Sequence, residues 1–479
     1  MSPIAQAWLF RIAFAVSLFM AYGMPDSLLA AGKLELKEDS TDSRIFQVTG
    51  GLEAKGKVYT RATDGSAAPR NMSVSYGFSY LERRLTGIGR EVQSLRTIRL
   101  YEKAKAQITI GEQSTFAQLR ENVRLVVAAG QREGMSLYSP NGPFLFSELE
   151  LLRIPGDSGT LTALLPLEPV EPGDTWKPSE WVLQVLVGME AVEKSSFDCK
   201  FESLEGTLAK ISFAGEITGA DRGAATGVKV TGSLQYDTVG KFISQFQMDV
   251  ADKHSIGIVS PGLDVTAHVT CERTVTNAPA RGLSDAEVKV LPLEPLPGQQ
   301  LLVFEIPEWG LRFHYDRQWH LFQQVRDLAV FRLLEKGHPV TQLNLHRLAH
   351  AAVGVEITLD QFQADVQKVM GKMFQKVLQS EKVPTTDGKT VYRVVVLGQV
   401  ERPGTTKNEK GEKQSVINVV PYEWIHYLVT APDGRRLTFV FILEPKAAEA
   451  LQGRDLSLVA GLEFFEPRRP QLQPVGADK

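Results

Sequence analysis

Histidine and cysteine are the scarce residues of this chain. Eight histidines and two cysteines serve 479 positions, and the first histidine is His254. That scarcity bears on "IPGDSGT", Ile154 to Thr160, whose Gly156-Asp157-Ser158-Gly159 spells the surroundings of a serine-protease nucleophile. A serine hydroxyl needs a base within hydrogen-bond reach, and in that protease order the histidine precedes both aspartate and serine. No histidine precedes Ser158, and Thr160 stands where a second glycine should follow. Pro155, Gly156, Asp157 and Gly159 are turn formers, so the sequence predicts an exposed turn leading into a strand "TLTALLPL", with no catalytic role for Ser158.

Other absences narrow the field further. Phosphate-binding loops of the Walker type and a G-x-G-x-x-G after a strand do not occur, which removes the usual nucleotide folds. Charge of one sign is lacking too: 53 basic residues face 56 acidic ones, giving a formal net charge of -3. A nucleic-acid binder concentrates Lys and Arg on one face, so no nucleic-acid partner is expected. Two cysteines lack the additional ligands and spacing of a zinc cage. "HRLAH", His346 to His350, has Arg347 where a helical metalloprotease motif requires Glu. On a continuing strand these two histidines would lie roughly 13 Å apart, too far to share an ion. Neither metal nor cofactor is expected, and no residue is assigned to catalysis.

The apolar run Ile12 to Tyr22, after Arg11 and before small residues at Ala21, Gly23, Ala30 and Ala31, has the order of a secretory signal peptide. Residues 1–31 are therefore read as a signal peptide, with a retained N-terminal membrane anchor as the alternative, and the protein as secreted or periplasmic. No later segment reaches the length of a membrane span, about 20 apolar residues. In an oxidising compartment Cys199 and Cys271, both in alternating segments, form one disulfide, worth roughly 4 kcal/mol in the chain-entropy model. Two buried free thiols are the other reading.

What is present is alternation. From Lys33 to Val290 the pattern has period two, broken by Gly, Ser and Asn turns, which predicts a large, curved antiparallel β domain. Its halves would be 32–165 and 170–280, with short helices at Phe146 to Leu152 and Ser179 to Glu190. "LPLEP" appears at Leu165 and again at Leu291, with flanks that do not align, and the proline-rich 291–299 marks a linker. Beyond it, "TLDQFQADVQKVMGKMFQKVLQS" predicts a long amphipathic helix over 358–380. Thr358 and Gln361 form its capping box, and Leu359, Phe362, Val366, Val369, Met370, Met373 and Val377 its apolar stripe. Strands follow, with a hairpin at Asp433-Gly434 and a closing helical stretch before a loose tail from 467 to 479.

The order of "FHYDRQWHL", the 358–380 helix, the Asp433-Gly434 hairpin and "DLSLVAGLEFFE" resembles the Mog1/PsbP-like domain over about 300–466. The resemblance implies an α+β sandwich and an accessory or binding role. The region 33–290, with "VEPGDTW" at Val170 to Trp176, resembles secreted bacterial proteins of unknown function that carry a Gly-Asp-x-Trp turn. The expected fold class is thus α+β: a curved antiparallel β domain followed by a smaller Mog1/PsbP-like sandwich. The expected function is non-enzymatic binding or assembly, through a protein partner or an apolar ligand in a groove. A carrier of a lipid-like ligand in the curved domain and a hydrolase at the domain interface are the alternatives.

Overall fold

The computed structural model describes residues 32–39, 42–61, 67–85, 91–131, 134–277, 282–291, 294–351, 357–407, 413–451 and 453–466. The expected signal peptide and tail lie outside these. Six strands open the chain: β1 (Ile45–Arg61), β2 (Ala67–Arg84), β3 (Arg96–Ile110), β4 (Gln113–Gln118), β5 (Leu125–Gln131) and β6 (Gly134–Tyr138). The two-residue β7 (Phe144–Leu145) leads into α1 (Phe146–Leu152); β8 (Thr175–Trp176) and α2 (Glu180–Val187) follow. Then come β9 (Ala191–Glu205), β10 (Leu208–Asp221), β11 (Ala224–Asp237), β12 (Phe242–His254), β13 (Gly262–Thr276) and α3 (Asp285–Lys289). These strands, β7 apart, form one twelve-stranded antiparallel sheet in which β1 pairs β2 on one side and β13 on the other.

The remainder holds β14 (Leu302–Ile306), β15 (Leu311–Tyr315), β16 (Trp319–Val325), β17 (Leu328–Glu335), β18 (His338–Leu348) and α4 (Leu359–Met370). It closes with β19 (Phe374–Val383), β20 (Thr390–Lys407), β21 (Lys413–Thr430), β22 (Arg436–Leu443), α5 (Ala448–Leu451), α6 (Arg454–Ala460) and β23 (Glu463–Phe464). A seven-stranded sheet runs β16-β17-β18-β22-β21-β20-β19, and a four-stranded one runs β23-β15-β14-β7. The second of these crosses the proline-rich segment, because β7 pairs in parallel with β14.

Alternation sets the faces. Along β12, Phe246, Met248 and Val250 are buried while Gln247 and Asp249 are exposed, as a half-buried strand requires. The inner face of the large sheet is filled by its own chain. Phe197, Phe213 and Phe246 stack in a row, and Leu149, Leu152, Leu161, Val182 and Leu186 join them in one core. That core continues through Leu302, Phe304, Phe313, Phe331 and Phe439 beyond the proline-rich segment. A smaller one gathers Phe362, Val366, Met370, Val394 and Trp424 under α4.

Three expectations are corrected. The described residues are mostly β, with strand at 58% and helix at 16% of them, in large antiparallel sheets; the α+β Mog1/PsbP-like class does not describe the fold. One source of the difference is the helix expected over 358–380. It stops at Met370, because Gly371 takes φ 50 and Phe374 starts a strand that pairs β20. Val369, expected in its apolar stripe, is 79% exposed. The strand expected at "TLTALLPL" is instead a 3-10 turn, Leu161–Leu164.

The disulfide is the third. Cys199 and Cys271 are buried free thiols, on β9 and β13 with three strands between them. Four strand spacings of about 4.8 Å separate them along the sheet, whereas a disulfide needs Cα atoms within about 7 Å. Burial pushes both thiols up to about 12, so they are un-ionised and unreactive at neutral pH.

Candidate functional site

Ser158 is not exposed, which corrects the turn reading. It is 1% exposed, and its hydroxyl donates to Glu82 Oε2 at 2.6 Å and shares a hydrogen bond with the Tyr80 hydroxyl at 2.8 Å. No histidine reaches it among the described residues. Glu82 on β2 faces Arg99 on β3, and Arg99 donates from Nε to Glu82 at 2.9 Å and from its two terminal nitrogens to Asp157. Arg273 on β13 donates to Glu38 at 2.7 Å, and Arg84 to the same carboxylate at 2.8 Å. Three guanidiniums thus meet three carboxylates. Burial opposes ionisation of Glu38, but Arg273 and Arg84 overcome it and hold its carboxyl below the usual range. In this dry network each buried charge is held against one of opposite sign, which offsets the cost of taking it out of water. Asp157, Ser158 and Gly159 belong to it: a Cβ at Gly159 would come within 2.9 Å of Arg99.

A second polar cluster lies where β10 and β12 end and β11 begins. Ser260 Oγ is 3.2 Å from His254 Nε2. Burial lowers the His254 pKa, against the pull of Asp221. Asp252 is pushed up to about 6 by burial and by the charge of Asp221. Arg222 is held by Glu150 in two bonds of 2.9 Å, and nearby His320 on β16 falls to about 4 through burial and the Arg222 charge. Ser260 and His254 are each 9% exposed. Little in the sequence points to the pair, because its members belong to a strand end and to the loop after it.

The third feature is open. A cleft of about 540 Å³ lies between β6, the Pro297–Gln300 turn, the β15–β16 turn and the start of α6. Its walls carry Arg153, Arg317 and Arg454, with Asp316 as the carboxylate. The Asp316 Oδ1 already accepts the Gln318 amide at 2.9 Å. Arg317 spans the junction, donating to the Gln300 carbonyl at 2.8 Å and the Leu137 carbonyl at 2.7 Å. Burial and the nearby Arg153 charge bring its pKa down to about 10. Arg454 donates to the Gln318 side chain at 2.9 Å. Among the described residues, neither Arg317 nor Arg454 has a carboxylate within ion-pair distance.

His346 sits on β18 opposite Leu328 and Thr438, and His350 lies two residues past the strand end. The described residues bring no three potential metal ligands together, and none of their helices is long and apolar enough to cross a membrane. The Gly-Asp-x-Trp turn is built as a clamp: Asp174 accepts the Glu171 amide at 3.0 Å, and Trp176 Nε1 donates to the Leu164 carbonyl at 2.9 Å.

No protein-family model and no curated protein matches the chain. Among solved structures, cyanobacterial PsbP from Synechocystis is similar at 14% identity, covering 35% of this chain and 93% of its own, with a TM-score of 0.25. Lipovitellin is similar at 8% identity over 50% of this chain and 26% of its own, with a TM-score of 0.30. The Tle4–Tli4 complex contributes a chain at 12% identity, covering 50% of this chain and 74% of its own, with a TM-score of 0.18. These likenesses are too loose to carry an argument, and they lend no support to the resemblance expected of residues 33–290.

Proposed function

We propose that this is a non-enzymatic binding protein of the secreted or periplasmic space, and that it takes its ligand in the cleft between β6 and the β15–β16 turn. The observation that carries the reading is the cleft itself. At about 540 Å³ it has the size of a small-molecule site, and its polar groups come from five separate parts of the chain. The carrier alternative counts on the inner face of the large sheet, which is occupied by Phe197, Phe213, Phe246 and Leu152. A protein partner would meet the same rim.

Native mass spectrometry of the purified protein with a mixed metabolite extract tests the reading. The expected result is a one-to-one adduct, lost when exposed Gln318 on the cleft wall is replaced in Gln318→Trp. Absence of any adduct, or an adduct that survives Gln318→Trp, overturns it. A hydrolase at the junction is the second reading, favoured only by the Ser260–His254 contact. Ester or peptide turnover abolished by Ser260→Ala would replace the first reading with that one.

A further inference from the structure

Among the described residues, three arginines and one carboxylate line the cleft, and that excess specifies a ligand. Among the described residues Arg153 has one carboxylate within ion-pair distance, Glu150 at 3.7 Å, while Asp221 and Glu190 act on it from farther away. Glu150 is already engaged by Arg222 through both of its oxygens at 2.9 Å. Arg317 spends donors on two backbone carbonyls, which orient the guanidinium without neutralising it. Arg454 is held by a neutral amide, that of Gln318. Asp316, the carboxylate of the lining, has one oxygen committed to the turn.

Elsewhere the same chain sets buried arginines against carboxylates: Arg99 with Glu82 and Asp157, Arg273 with Glu38. An arginine left beside another arginine in a partly desolvated recess costs free energy unless an anion completes it. Guanidinium forks match planar or tetrahedral oxyanions through paired N–H donors. The Gln131, Ser136 and Gln300 side chains on the same walls supply neutral polar groups beside them.

We infer that the cleft binds a small molecule through an oxyanion group, a phosphate or a carboxylate, held between Arg153, Arg317 and Arg454. The inference rests on the binding role proposed for this cleft and names the chemistry of its ligand. Because Arg317 also ties β6 to the Pro297–Gln300 turn, Arg454 and Arg153 are the residues to change.

Thermal unfolding of the full chain is measured against rising inorganic phosphate in one arm and succinate in the other, each compared with sodium chloride at equal ionic strength. The expected result is a saturable rise in Tm with at least one oxyanion beyond that with chloride. In Arg454→Gln and in Arg153→Gln the apparent Kd should weaken at least tenfold, with Tm in chloride unchanged within two degrees. A phosphate response alone assigns the group to phosphoryl ligands, and a succinate response alone assigns it to carboxylates. A rise no greater than chloride's in both arms, or one that both variants retain, overturns the inference. Failure here together with a native-mass adduct that Gln318→Trp abolishes leaves the binding role intact and removes only the oxyanion.

Discussion

A hydroxyl with two partners in a dry place holds more than its size indicates. Ser158 joins Tyr80 to Glu82, and Glu82 in turn receives Arg99. Ser158→Ala removes a donor to a buried carboxylate and strips the Tyr80 hydroxyl of a partner. The expected loss is about 1–3 kcal/mol, the usual penalty for buried polar groups left unsatisfied, read as a lower Tm or denaturant midpoint. An unchanged midpoint would mean that the network repacks. Asp252 works in the other direction. Its folded pKa is raised to about 6 from 3.8, so the folded state binds more protons, and stability falls as pH rises from about 4 through 6. Asp252→Asn should match the parent below pH 4 and exceed it by about 2 kcal/mol above pH 7. That figure follows from about 1.36 kcal/mol for each tenfold change in proton affinity, reduced because solvent screens a partly exposed carboxyl. Denaturation series at pH 4 and pH 7 check both ends.

Among the elements, legibility follows how much of the decision is local. Period-two alternation locates β11 and β12 because each buries one face and exposes the other. The Thr358–Gln361 capping box forms as its spacing indicates, with both reciprocal hydrogen bonds in place. The far half of that helix misleads because apolar residues from Met370 to Val377 fit helical spacing as well as a loosely alternating edge strand. Gly371 and pairing with β20 decide between them, and pairing across sequence is invisible to a local pattern. Ser158 misleads for a related reason. Pro155 and the glycines do make a turn, but Arg99, 58 residues upstream of Asp157, draws that turn inward. The arginine cleft is not legible at all, since Arg153, Arg317 and Arg454 have no common motif and meet only when the sheets are assembled.

For the whole molecule, the shared core implies that the parts on either side of 291–299 unfold together. Leu149 and Leu152 belong to the same cluster as Phe313 and Phe439, and Arg317 bonds to Leu137 across the boundary. A single calorimetric transition is expected, with its enthalpy equal to the van't Hoff value; two resolved transitions would show separate units. The parallel pairing of Phe144–Leu145 with Leu302–Val303 also has a bearing on the order of events during synthesis. The first partner leaves the ribosome more than 150 residues before the second. Its free edge must therefore wait through the making of β8 to β13. Whatever shields that edge in the interval, whether a chaperone or a transient contact within the chain, is part of how this protein reaches its native state.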